Sequence, residues 1–249
     1  MTAIVGILCS DGVVIGTDSS TTFAVAGGVT SIEQPTEKIE IIGEGIILAG
    51  TGAVGLNQRF TEVIKRALAD KKFKGDRNNL SKYLCRLMIE DFQYTGVQPG
   101  RHGYGALVAF SCEQKAQLCE FPITDFQPEF KTEKLWYVSM GSSQFITDSF
   151  LGFVRDVYWN DGMPTVNDGI FAITWTLRQA IDLNTGGVKD PIRIAVLEKQ
   201  GTDYKARLIE DAELQEHVQN IEAAKNALRN FRTEQVDPAE AEELPVPPN

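Results

Sequence analysis

The 249 residues contain two histidines, His102 and His217, and their distant, unrelated contexts exclude a histidine-based triad or a histidine metal site. The four cysteines, Cys9, Cys85, Cys112 and Cys119, have no C-x-x-C spacing. That excludes a cysteine zinc site and a disulfide framework, and predicts buried, inert thiols in a reduced, cytoplasmic protein. No run of residues approaches the ~18 apolar positions of a membrane span. Basic residues are in deficit, 24 against 34 acidic, and the formal charge of −10 opposes binding to nucleic acid or an anionic membrane. The opening apolar stretch lacks basic residues near Met1 and is interrupted by Asp11, Gly12 and Asp18, so no signal peptide is expected.

What is present is ordinary in amount and specific in order. A hydrophobic content of 43% suits a chain that buries a sizeable core in one large or two small domains. β-Branched residues on both sides of Ser10-Asp11-Gly12 predict a hairpin over 3–9 and 12–17, and further strands are expected at 38–42 and 45–49. The period then changes. Leu56, Phe60, Val63, Ile64 and Leu68, followed by Leu80, Leu84, Leu87, Met88 and Phe92, recur at three- and four-residue intervals and predict two amphipathic helices. Strands follow at 105–110, 116–121 and 136–140, helices at 143–157 and 166–182, and closing strands at 192–199 and 204–209. Strand runs separated by helix pairs imply layers, an α+β fold in which two antiparallel sheets are stacked with helices outside, a four-layer αββα sandwich. Beyond the core at 1–209, residues 210–233 hold one more amphipathic helix, striped by Leu214, Val218, Ile221, Ala224, Leu228 and Phe231. Residues 234–249, acidic and proline-rich, predict a disordered tail.

The strand that begins at the second or third residue has a chemical reading. Removal of Met1 ahead of the small Thr2 would leave a threonine with a free α-amine. Such an amine, with a pKa near 7.7–8.0, is a base suited to its own hydroxyl. Nucleophile and base are then one residue, and no peptide can precede it.

Several spaced motifs resemble the proteasome β-subunit family of N-terminal-nucleophile threonine peptidases, over the region from Thr2 to Ile209. "DGVVIGTD" is similar to the family's second strand and puts Asp18 at the interval of the catalytic aspartate. "TEKIEII" resembles the segment of the catalytic lysine, making Lys38 the match after a loop a few residues longer than usual. "GTGAVG" resembles the turn whose glycine amide forms the oxyanion hole, here Gly52. "SMGSSQFITDSF" is similar to the glycine-serine helix start and gives Ser142 a place beside the nucleophile's amine. "DLNTGG" resembles the aspartate-x-x-serine-glycine-glycine motif, with Asp182 as the acid and Thr185 in place of serine.

The resemblance implies a hydrolase that cleaves peptide bonds by acyl transfer through Thr2, without cofactor or metal. It implies stacked homo-oligomeric rings of six or seven subunits, unfolded polypeptide or peptide substrates, and an activator or unfoldase. Gly50 and Val54 would line the first specificity pocket, where a glycine would admit large apolar side chains. The "DSSTTF" that follows the motif aspartate, the absence of a long propeptide and the extra C-terminal helix point to the bacterial proteasome homologue branch. Two alternatives remain: a small-molecule amidase of the same fold, and a ring scaffold without catalysis.

Overall fold

Along β2 (Gly12–Thr17) every residue is buried, and alternate residues go to different places. Val13 and Ile15 join one apolar cluster and Val14 joins another. A strand with two dry faces must lie between two layers. The computed structural model, which describes residues 2–23, 32–97, 103–160, 162–183 and 187–236, has that arrangement throughout.

The first sheet has the order β10-β1-β2-β11-β12, made by β1 (Ala3–Leu8), β2, β10 (Tyr137–Gly141), β11 (Arg193–Gln200) and β12 (Asp203–Leu208). The second, β5-β6-β7-β8-β9, is made by β5 (Ile39–Ile42), β6 (Ile46–Gly52), β7 (Tyr104–Cys112), β8 (Lys115–Phe121) and the short β9 (Glu129–Phe130). All pairings in both are antiparallel. A separate hairpin, β3 (Ser20–Phe23) with β4 (Ile32–Pro35), occupies the stretch that the sequence reading treats as a long loop.

Three apolar layers hold the sandwich together. Ile4, Ile15, Ile47, Leu107, Leu118 and Leu197 fill the space between the sheets. α1 (Val54–Ala69) and α2 (Arg77–Tyr94) cover the second sheet through Phe60, Ile64, Leu84 and Met88. α3 (Gln144–Tyr158) and α4 (Val166–Asp182) cover the first through Leu151, Val154, Ile170 and Ile173. Each such aliphatic side chain, fully buried, contributes about 1.5–3 kcal/mol. Close layering also fixes Gly16 on β2, where a Cβ would come within 2.3 Å of the Ile173 side chain.

The helix starts carry their own signals. Asp76 caps α2 by accepting from the Asn79 N–H at 2.9 Å, and Thr165 with Asp168 forms a capping box on α4. The predicted αββα sandwich is the observed one. The last helix, α5 (Asp211–Val236), runs three residues past the expected 233, and packs on α4 with Leu214, His217 and Ile221 buried. The tail from 237 onward lies outside the described residues.

Candidate active site

The β3–β4 hairpin sets the geometry of the site. Its register pairs Ser20 with Pro35, so the residues just outside its two feet, Asp18 and Lys38, are brought together. Lys38 Nζ donates to Asp18 Oδ1 at 2.5 Å, with side chains 5% and 0% exposed. Asp18 does more than pair. The same Oδ1 accepts from the Ala3 N–H at 2.8 Å, and Oδ2 accepts from the Ser20 N–H at 3.1 Å. One oxygen therefore ties Lys38 to the peptide unit that follows Thr2. Burial holds the Lys38 ammonium below its ordinary pKa, against the opposing pull of Asp18.

Thr2 stands at the head of β1. Its nitrogen is a peptide nitrogen while Met1 is attached, and occupies the position that an α-amine would take after Met1 removal. It donates to Ser142 Oγ at 3.1 Å, and Ser142 Oγ lies 3.4 Å from the Thr2 carbonyl oxygen. The approach depends on Gly141, whose φ is +100° and whose added Cβ would lie 2.2 Å from the Thr2 carbonyl oxygen. Below Ser142, buried Ser139 donates to Asp148 at 2.5 Å and accepts from Thr147 at 2.7 Å, anchoring the start of α3.

A cleft of about 280 Å³ opens in front of Thr2, with Lys38 and Ser142 in its wall. Gly52, the last residue of β6, also lines it, with a φ of +104°. A side chain there would strike Gly103, whose carbonyl oxygen would be 1.6 Å from the Cβ. The next residues, Ala53 and Val54, line the cleft and start α1 without a side-chain cap, so the positive end of that helix borders the cavity.

The structure thus brings Thr2, Asp18, Lys38, Gly52 and Ser142 into one site, with Gly50 and Val54 in the same cleft. It does not bring Asp182 there. Asp182 ends α4, is exposed, and has no hydrogen-bond partner among the described residues. Thr185 lies outside the described residues.

The sequence reading missed Asn57 and Tyr104, which also line the cleft. The space above Gly50 that was expected to be open is filled by them. A Cβ on Gly50 would lie 2.0 Å from Asn57 Oδ1 and 3.0 Å from the Tyr104 ring. A polar residue among the early positions of α1 was the available signal for Asn57. Tyr104 could come only from the β6–β7 register, which pairs it with Gly52.

All four cysteines are free and buried, and burial raises each thiol above its ordinary pKa. Among the described residues no cluster of three or more His, Cys, Asp or Glu is placed to hold a metal, and no helix is long and apolar enough to cross a membrane.

The geometry has counterparts among known proteins. In fold, the chain is similar to a crystal structure of an Anbu (Gly-1) mutant from Hyphomicrobium sp. strain MC1, with a TM-score of 0.71 at 13% identity, covering 99% of this chain and 100% of that one. Anbu from Yersinia bercovieri, described as an ancestral beta-subunit, gives a TM-score of 0.65 at 12% identity, covering 98% of this chain and 100% of that one. No curated protein sequence matches the chain. The model of the proteasome subunit family matches residues 2–185, the span from the threonine at the head of β1 to just past α4. On that match, which takes in most of the chain, the protein belongs to the proteasome subunit family.

Proposed function

We propose that the protein is a threonine endopeptidase whose nucleophile is Thr2, freed by removal of Met1. The observation that carries this is the dry Lys38–Asp18 pair, joined through one carboxylate oxygen to the backbone beside Thr2, at the wall of an open cleft. An ion pair is costly to bury and contributes little to stability. Its position in one cleft with Thr2 suits the stabilisation of an alkoxide.

In the proposed reaction the Thr2 hydroxyl attacks the scissile carbonyl and its proton passes to the Thr2 α-amine. The Lys38 ammonium stabilises the oxygen as charge grows, and the Gly52 N–H donates to the tetrahedral oxyanion. Collapse breaks the C–N bond, and the leaving amine takes the proton from the α-ammonium. Water, deprotonated by the same amine, then hydrolyses the Thr2 ester and releases the acid. Ser142, which accepts from the Thr2 nitrogen, orients the base. Asp182 and Thr185 belong to the proposal on resemblance alone.

The family resemblance extends the proposal to a homo-oligomeric ring acting on unfolded polypeptides, fed by an activator of unknown identity, in the cytoplasm. A silent scaffold is the second reading, and it is favoured by Asp182, which is exposed and whose carboxylate has no partner among the described residues. Intact mass and peptide turnover of the purified chain separate the two. Loss of Met1 together with hydrolysis that Thr2→Ala reduces to background supports the peptidase. Retention of Met1, or hydrolysis untouched by Thr2→Ala, overturns it.

A further inference from the structure

The floor of the cleft is a bonded pair of polar side chains. Tyr104 donates its phenol to Asn57 Oδ1 at 3.0 Å, and both residues line the cavity that holds Thr2. A carboxamide has two N–H donors besides its oxygen, so the bond to Tyr104 uses the acceptor and leaves the donors to meet what enters.

The pair is built to stay where it is. Tyr104 is 4% exposed, stacks on Phe126 at 5.8 Å and meets the edge of Phe60 at 6.1 Å. Gly50 beneath Asn57 has no room for a Cβ, so strand and helix are in contact through the carboxamide. A volume of about 280 Å³ admits an ordinary side chain of most kinds. Chemistry at the floor, and not size, therefore decides what fits.

Charge narrows the choice further. Exposed Glu37 lines the cleft, and Glu40 lies near enough to Tyr104 for its charge to oppose ionisation of the phenol, which burial already disfavours. A carboxylate entering the cavity would meet the carboxylate of Glu37 at its wall and the field of Glu40 at the Tyr104 end. An apolar side chain would leave the Asn57 donors without partners, which costs binding wherever water is excluded.

We propose that Asn57, held by Tyr104, selects substrates whose residue on the acyl side of the scissile bond carries a neutral hydrogen-bond acceptor, of the glutamine and asparagine class. This rests on the peptidase reading and deepens it. Asn57 is a specificity residue that touches substrate and takes no part in the proton transfers.

The test uses the full chain with Met1 removed and four peptide epoxyketones that share one backbone and end in Gln, Leu, Lys or Glu. Labelling of Thr2 is followed by intact mass. The glutamine probe is expected to label at least about tenfold faster than the others, since a site built around a hydrogen bond rejects analogues that lack it. Asn57→Ala should erase that preference and speed the leucine probe. Asn57→Asp, nearly the same in shape, keeps an acceptor for Tyr104 and should turn the preference toward lysine, so the idea is still tested where the alanine variant fails to fold. Labelling of Thr2 by the leucine probe as fast as by the glutamine probe overturns this inference and leaves the peptidase standing. No labelling of Thr2 by any probe removes the peptidase reading, and this inference with it.

Discussion

Two lysines are buried in this protein to almost the same depth, and they behave in opposite ways. Lys38, beside the cleft, is 5% exposed and pairs with Asp18. Lys131, beside β9 in the second sheet, is 7% exposed and bridges Glu120 at 2.6 Å and Glu129 at 2.7 Å. Burial pulls both ammonium groups down. For Lys38 it prevails over Asp18, whereas for Lys131 the two glutamates together outweigh it and the pKa rises. Asp18 is also shared, since its Oδ1 serves the Ala3 N–H as well as Lys38. Lys131, held between two carboxylates, is a structural tie, while Lys38, drawn down by burial at the wall of the cleft, meets in the proposed reaction a charge that appears later.

The largest effect that would sharpen this contrast is on activity. Lys38→Met should lower kcat/KM for a fluorogenic peptide by at least about 10³-fold with the circular dichroism spectrum unchanged. Lys131→Met should leave kcat/KM within about threefold, and equal losses in the two variants would erase the distinction. Gly52→Ala comes next. Its Cβ has no place against the Gly103 carbonyl, and displacement of the oxyanion amide should cost about 10²–10³ in kcat. For stability the order reverses. Lys131→Met strands two carboxylates and should cost about 2–3 kcal/mol in urea unfolding, the low side of a broken buried pair because Glu129 reaches solvent.

The smallest effects are in pH. Between the depressed value of Lys38 and the ordinary 10.5, the unfolded chain holds the proton that the folded one has released, so Lys38 makes stability rise with pH in that window. Lys131 does the opposite. Its contribution is complete below 10.5 and is lost as pH climbs through its raised value. Subtracting the unfolding free energy of each variant from that of the unaltered chain, from pH 8 to 11, should give slopes of opposite sign. The same depression of Lys38 should draw the alkaline limb of the kcat/KM profile below pH 10.5.

The periodic parts of the fold were legible in the sequence because core contacts repeat. The apolar run of β2, buried on both faces, and the three- and four-residue spacing of Leu56, Phe60 and Ile64 are consequences of burial on regular elements. The β3–β4 hairpin was not legible, since "DSSTTF" and "IEQP" lack an apolar alternation that would mark strands. In the site, Asp18, Lys38, Gly52 and Ser142 could be read because each sits in a short local motif. Asn57 and Tyr104 could not, because their meeting depends on how α1 leans over the β6–β7 pair. The expectation that Gly50 admits large apolar side chains takes no account of these two residues, which lie within 3.0 Å of where its Cβ would be. Gly50 is small because the cavity above it is already occupied.

The place of β1 between β10 and β2 also governs time. Thr2 leaves the ribosome 140 residues ahead of its neighbour Ser142, which with Gly141 belongs to the second half of the chain. At about 5–20 residues per second, the head of β1 waits on the order of ten seconds for β10 to exist. Throughout that interval β1 has no sheet partner on that side, so its edge can be completed only once the second half of the chain has been made.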